Sequence, residues 1–219
     1  MSHSAPNPAR AAIFANLHTA LKRGPLEESE RAPLDARLAT PPGHVRPAVE
    51  GDLLARFVQK FESRAGTTER VASPADVPAA VEAYRQAKGL APRVHVGAAL
   101  GELPWPAEWT VSHGAAGLDA VISVTPSLAG IAETGSVMLA SSPASPTTHH
   151  FVPDDHVVVL AADRIVAHFE DAWAILRARP EGMPRATNIV SGPSRTADVE
   201  QTIQLGAHGP RRVHVILVG

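Results

Sequence analysis

Three groups of residues in this chain have the types and spacing to do chemistry. The first is Ser191-Gly192-Pro193-Ser194-Arg195-Thr196, which follows an apolar run and opens a segment that reads as a helix. A bend at the carboxyl end of a strand, entering a helix, presents unpaired N–H donors to an anion. Ser194, Arg195 and Thr196 would add donors of their own, so the block fits a carboxylate or phosphate site. The plainer reading is that Ser191 or Ser194 caps the helix while Pro193 shapes the turn. Asp198 and Glu200 suit the positive end of a helix dipole in both cases. A serine nucleophile is the sharper alternative, because Ser194, Asp198 and His208 follow in triad order. Thr196, however, stands where a nucleophile elbow needs its second glycine. Asp198 is also only one helical turn from Ser194, a poor place from which to orient a distant histidine.

The second group is Gly130-Ile-Ala-Glu133-Thr134-Gly135-Ser136. It has the glycine spacing of a phosphate loop but lacks the lysine that contacts the terminal phosphates. What remains is Glu133 at a turn between two apolar segments. It is either a general base or nucleophile, if its surroundings are dry, or a solvated turn carboxylate. The third group, His149-His150-Phe-Val-Pro-Asp154-Asp155-His156, gathers nitrogen and oxygen donors suited to a metal. It has no helical i, i+4 histidine pair, Pro153 makes it irregular, and eleven histidines make some clustering unsurprising, so no metal site is assigned. His95 and His214 alternate with valines and read as structural strand residues. Trp105 and Trp109, between prolines, read as loop packing.

These groups must be held by a scaffold, and the apolar spacing describes one. Residues 8–22 and 52–64 have helical periodicity, with Ile13, Phe14, Leu17 and Leu21 on one stripe and Leu53, Leu54, Phe57, Val58 and Phe61 on the other. Between them, residues 24–49 hold five prolines and read as an irregular connector. Thereafter strands and helices alternate. Strands are expected over 68–72, 93–97, 119–125, 136–140, 156–161, 187–191 and 213–218, with one more ending the 103–113 loop. Helices are expected over 73–88, 169–179 and about 194–205, a turn or short helix over 126–132, and a Ser/Pro/Thr/His-rich loop over 141–153. The continuous runs HVVVLA and VHVILV are those of strands buried on both faces. Such alternation predicts an α/β fold with a mainly parallel sheet. The expected division is an N-terminal helical arm and linker over 1–50 and an α/β domain over 51–219.

Bulk properties narrow the function. A chain of 219 residues with 44% hydrophobic side chains can bury a sizeable core. A net charge of −2 and an aromatic content of 4% argue against a nucleic-acid binder. No membrane span is expected, and the N-terminal stretch lacks the pattern of a signal peptide, so a cytoplasmic location is expected. There is no cysteine. That excludes disulfides, thiolate catalysis and an iron–sulfur cluster held by the chain's own thiolates.

Taken in order, Ala132-Glu-Thr-Gly-Ser136, Pro153-Asp-Asp-His156-Val-Val-Val, SGPSRTADVE at 191–200, Gly206-Ala-His208-Gly-Pro210 and His214-Val-Ile-Leu resemble the LUD-domain family, in its lactate-utilisation protein C branch. The resemblance covers about residues 50–219. It implies a three-layer α/β/α sandwich of the NagB/RpiA/CoA transferase-like kind and a role in oxidising L-lactate to pyruvate beside iron–sulfur partner subunits. On that reading the clusters sit in the partners, and this chain binds a small anionic ligand. The motif positions carried over are Glu133, Thr134, Gly135, Ser191, Gly192, Ser194, Arg195, Thr196, Asp198, Glu200, His208 and Gly209. Arg195 would pair with the anion. Glu133, by analogy with the coenzyme A transferases, and His208, whose side-chain type suits proton transfer near neutrality, are the candidate catalytic groups. All would share one pocket between the ETG and SGPSRT bends at the carboxyl ends of strands. The alternatives are a stand-alone coenzyme A transferase or sugar-phosphate isomerase, and a non-catalytic assembly module.

Overall fold

The computed structural model describes residues 7–22, 24–40, 45–97, 100–196, 204–206 and 208–219. They divide into two compact units, Met1–Arg46 and Pro47–Gly219.

The first unit holds two helices. In α1 (Pro8–Leu21) the Asn7 side chain accepts the Ala9 N–H and Pro8 takes a first-turn position where no amide is needed. Lys22, in the left-handed region, ends it. The connector expected over 24–49 contains a second helix, α2 (Glu28–Ala39). Only Pro33 falls inside α2, and a capping box between Glu27 and Glu30 starts the helix ahead of it. The other four prolines fall outside α2 in the sequence.

The second unit is built on a six-stranded, wholly parallel sheet. Its strands are β1 (Thr67–Val71), β2 (Arg93–Val96), β3 (Thr110–Ser112), β4 (Ile122–Pro126), β7 (Asp155–Ala161) and β12 (Arg212–Val218), in the order β1-β12-β7-β4-β2-β3. Alternate side chains of the central strands leave on opposite faces. Val157, Val159 and Ile216 pack with Val77, Val81 and Tyr84 of α4 (Val77–Lys88). Val158, Leu160, Val213, Val215 and Leu217 pack with Phe57 and Phe61 of α3 (Leu53–Glu62). Burial on both faces explains why these strands are continuous apolar runs rather than alternating ones.

Beside α3 lies a four-stranded mixed sheet, which joins the two strands expected at 136–140 and 187–191 to two that periodicity did not reveal. It comprises β5 (Ala129–Ile131), β6 (Ser136–Ala140), β8 (Ile165–Val166) and β9 (Thr187–Val190), in the order β8-β5-β6-β9. Val137 and Leu139 of β6 face the core shared with α3. Met138, with Ala129 and Ile131, faces Ala172 and Leu176 of α6 (Phe169–Arg177). The turn or short helix expected at 126–132 is thus strand β5, because backbone pairing with β6 decides three residues that have no periodicity of their own. The short helix α5 (Thr148–Phe151) interrupts the loop expected over 141–153. Among the described residues, no helix is long and apolar enough to cross a membrane.

Candidate functional site

The antiparallel pairing of β6 and β9 sets Val137 opposite Val190, so Ser136 and Ser191 become neighbours across 55 positions of sequence. Their hydroxyls bond at 2.5 Å, and Thr134 Oγ1 joins Ser136 Oγ at 2.6 Å. The ETG and SGPS bends therefore do meet. What lies beside both is the end of α3. A Cβ on Gly135, at φ 65°, would sit 2.4 Å from the Phe61 backbone nitrogen, and one on Gly192, at φ 99°, 2.8 Å from the Arg64 carbonyl oxygen. Both glycines are needed for positive φ and close backbone approach together.

The chain then enters β10 (Arg195–Thr196), which pairs antiparallel with β11 (Gln204–Leu205). No helix opens at Ser194, because Arg195 and Thr196 are strand; residues 197–203, on which most of the expected helix falls, lie outside the described residues. Asp198 and Glu200 lie outside the described residues. Ser194 is tied instead to the GAHGP bend. Its N–H donates to Pro210 O (2.9 Å), its carbonyl accepts from Gly206 N–H (3.1 Å), and its hydroxyl accepts from His208 N–H (3.4 Å).

These two bends wall a cavity of about 400 Å³, lined by Ser191, Gly192, Pro193, Ser194, His208, Gly209 and Pro210, with His150 and Phe151 of α5 and Ile189 and Val190 of β9. Glu133, Thr134, Gly135 and Arg195 are not among its lining residues, which corrects the expected single pocket. Glu133 turns to α6: its Oε2 lies 3.2 Å from His168 Nδ1, with the two side chains 20% and 15% exposed. The backbone amides of Ala132 and Glu133 donate to Val166 O and Ala167 O and hold the turn there. With Glu170 these side chains bring three ligand atoms within 4.8 Å of one another, among the described residues the group with metal-ligand geometry. Arg195 donates through Nη2 to Arg64 O at 3.1 Å instead of facing the cavity. The glycine spacing that suggested a phosphate loop belongs to the β5–β6 hairpin.

Sequence reasoning weighed His150 only as a metal donor; the fold makes it part of the cavity. His150 is 1% exposed, and its Nδ1 accepts from the Asn188 side-chain amide at 2.9 Å. Burial, and then the neighbouring His149, lower its pKa to about 4. At neutral pH the ring is therefore uncharged, and the Asn188 bond leaves the proton on Nε2. That Nε2 is buried without a hydrogen-bond partner. The ring stacks on His156, whose Nε2 meets Thr125 Oγ1 at 2.8 Å. His149 Nε2 donates to Gly114 O at 2.7 Å. Among the described residues these three histidines form no group with metal-ligand geometry. The sequence cue to the place of His150 was Asn188, a polar residue next to Ile189 and Val190 in the strand segment TNIV.

The cavity brings together two serines and two histidines, Ser191, Ser194, His150 and His208, with Phe151, Ile189 and Val190 among its apolar lining. Known proteins match this region. Residues 114–218 match the LUD domain. That span carries every residue of the cavity, together with the four-stranded sheet and the central strands β4, β7 and β12. An uncharacterised protein of Neisseria meningitidis serogroup B is 38% identical over 89 residues, 41% of this chain and 38% of that protein. Lactate utilization protein C of Geobacillus thermodenitrificans is 30% identical over 127 residues, 52% of this chain and 53% of that protein. The chain spans about half the length, or less, of these curated relatives. A crystal structure of a DUF162 family protein from Deinococcus radiodurans superposes with a TM-score of 0.55 at 26% identity, covering 79% of this chain and all of that one. The common fold therefore reaches beyond the residues of the LUD domain match.

Proposed function

We propose that this chain serves L-lactate oxidation as a subunit that binds lactate or pyruvate in the cavity between the SGPS and GAHGP bends. Similarity to proteins named lactate utilization protein C supports a role in lactate utilisation. Converting lactate to pyruvate releases two electrons and two protons. With no cysteine in the chain, iron–sulfur partner subunits take the electrons. His208, at the cavity rim, accepts the hydroxyl proton, and the Cα proton passes to solvent as its electron pair goes to the iron–sulfur subunits.

The observation that carries the ligand reading is that His150, whose buried Nε2–H has no hydrogen-bond partner, lines this cavity together with Ser191, Ser194 and His208. A buried donor without a partner is costly, and a bound carboxylate oxygen relieves that cost. Titration calorimetry with L-lactate and pyruvate tests it. Removing a donor to a charged ligand costs about 1.5–3 kcal/mol, so His150→Ala and Ser194→Ala should each weaken binding roughly 10- to 100-fold. Arg195→Ala, already engaged with Arg64, should leave affinity within about twofold. Undiminished binding in both of the first two variants would remove the ligand from this cavity.

The partner side of the reading draws on the first unit, where Ile13, Phe14, Leu17, Leu21, Leu34 and Leu38 are exposed. Deleting residues 1–46 should abolish co-purification with the iron–sulfur subunits while lactate binding persists.

A further inference from the structure

The Ser/Pro/Thr-rich segment 141–148 takes no part in the cavity described above, although its composition is the most biased in the chain. We infer that it forms, with Arg179 and Arg185, a second ligand site, for a phosphate-bearing molecule of nucleotide size.

The topology puts the segment where parallel sheets bind ligands. From β2 the chain moves outward to β3, then returns to β4 and continues the other way through β7 and β12. The carboxyl ends of β2 and β4 therefore flank the crevice at which the strand order reverses. Gly97, just after β2, donates its N–H to Val124 O at 2.9 Å. A Cβ there would lie 2.9 Å from Pro126 Cδ and 3.1 Å from Ser145 Oγ, so the segment is seated directly on the crevice.

Two cavities open at this place and share Ser142 and Arg179. The inner one, about 180 Å³, has Pro126, Ser127 and Ser145 in its walls. The outer one, about 800 Å³, runs between Ser141–Thr147 and Arg179–Arg185. Together they far exceed what a three-carbon acid fills and fall in the range of cofactor sites. The walls are fixed before any ligand arrives. Ser142 and Ser145 exchange backbone bonds of 3.0 and 3.1 Å, and Ser141 N–H donates to Ala186 O while Ala186 N–H donates to Ser141 Oγ, both at 2.9 Å.

The donors suit a phosphate. Arg179 Nη1 is buried with no hydrogen-bond partner, and its Nε lies 3.5 Å from the largely exposed Glu181. Ser142 Oγ already accepts the Ser145 N–H at 3.0 Å, so its own proton remains to be donated. A guanidinium fork with a second arginine nearby matches the several oxygens and the charge of a phosphate better than one carboxylate. Pro143, Pro146, Met183 and Pro184 offer an apolar wall for the remainder of the ligand.

Titration with ADP and with inorganic pyrophosphate decides the matter. The expected result is an ADP dissociation constant below about 1 mM, weakened roughly tenfold or more in Arg179→Met. The variant's melting temperature should be no lower than that of the parent, since methionine removes an unpartnered buried nitrogen. L-lactate affinity should be the same in parent and variant, which separates this site from the other cavity. Absence of binding by both probes overturns the inference, as does unchanged ADP affinity in Arg179→Met. If Arg179→Met does not fold, Ser142→Ala, which keeps the guanidinium, carries the test: weakened ADP binding supports the site and unaltered binding refutes it.

Discussion

His149, His150, His156 and His214 are kept as neutral rings by burial, which lowers the pKa of each. His150 and His214 are pushed to about 4 and His156 to about 3. The consequence is a pH dependence of folding with a definite sign. Above pH 6.5 these imidazoles are neutral in both folded and unfolded chains, so stability does not depend on them. Below it the unfolded chain takes up protons that the folded chain refuses, and stability falls by up to about 1.4 kcal/mol per group per pH unit. Urea denaturation should give a flat stability from pH 8 to 7 and a steep decline from 6.5 down towards 4. A profile unchanged across that interval would mean the rings are not buried as described. At His150 the same burial shapes the site, because it keeps Nε2–H a donor throughout the physiological range.

Among the elements, α3 sets the geometry around both bends. Phe57 and Phe61 are fully buried beneath the small sheet, and the backbone at the end of α3 presses against Gly135 and Gly192. Phe61→Ala should cost about 3–5 kcal/mol by opening a cavity in this core. Gly135→Ala should cost about 1–3 kcal/mol, because the new methyl group meets backbone that cannot yield and the residue must keep positive φ. Equilibrium denaturation checks both. At the amino ends of the central strands, Asp155 is buried under Arg212, with Arg212 Nε and Nη2 at 2.6 and 2.7 Å and Tyr84 Oη at 2.7 Å. Asp155→Asn should cost about 2–4 kcal/mol by leaving the pair uncompensated, less than a fully buried pair because Arg212 is partly exposed. The legibility of these elements followed burial. The runs of β7 and β12 were readable because both faces are covered. The short strands β5 and β8 were not, since pairing alone makes them strands. The α2 helix was hidden by prolines that flank it, and β10 and β11 by spacing that also suits a helix.

On the scale of the molecule, the α/β unit holds a notch where the SGPS and GAHGP bends meet and a crevice at the reversal of strand order in the parallel sheet. Only the first contains the sequence motifs, and its neighbours are His150 and Phe151 rather than Glu133 and Arg195. From its residues alone the chain could be known to carry a mainly parallel sheet between helices, because continuous apolar runs alternating with amphipathic stripes admit few other burials. The lack of any cysteine likewise settled that no iron–sulfur cluster rests on its own thiolates. Which motifs meet was decided by tertiary structure. Glu133 joins His168, Ser191 joins Ser136, and His150 joins Ser194 and His208 around a cavity. Those meetings depend on β6–β9 pairing and on how α3, α5 and α6 pack. Such contacts between distant segments leave no periodic trace along the chain, because they are selected by the shape of the assembled core.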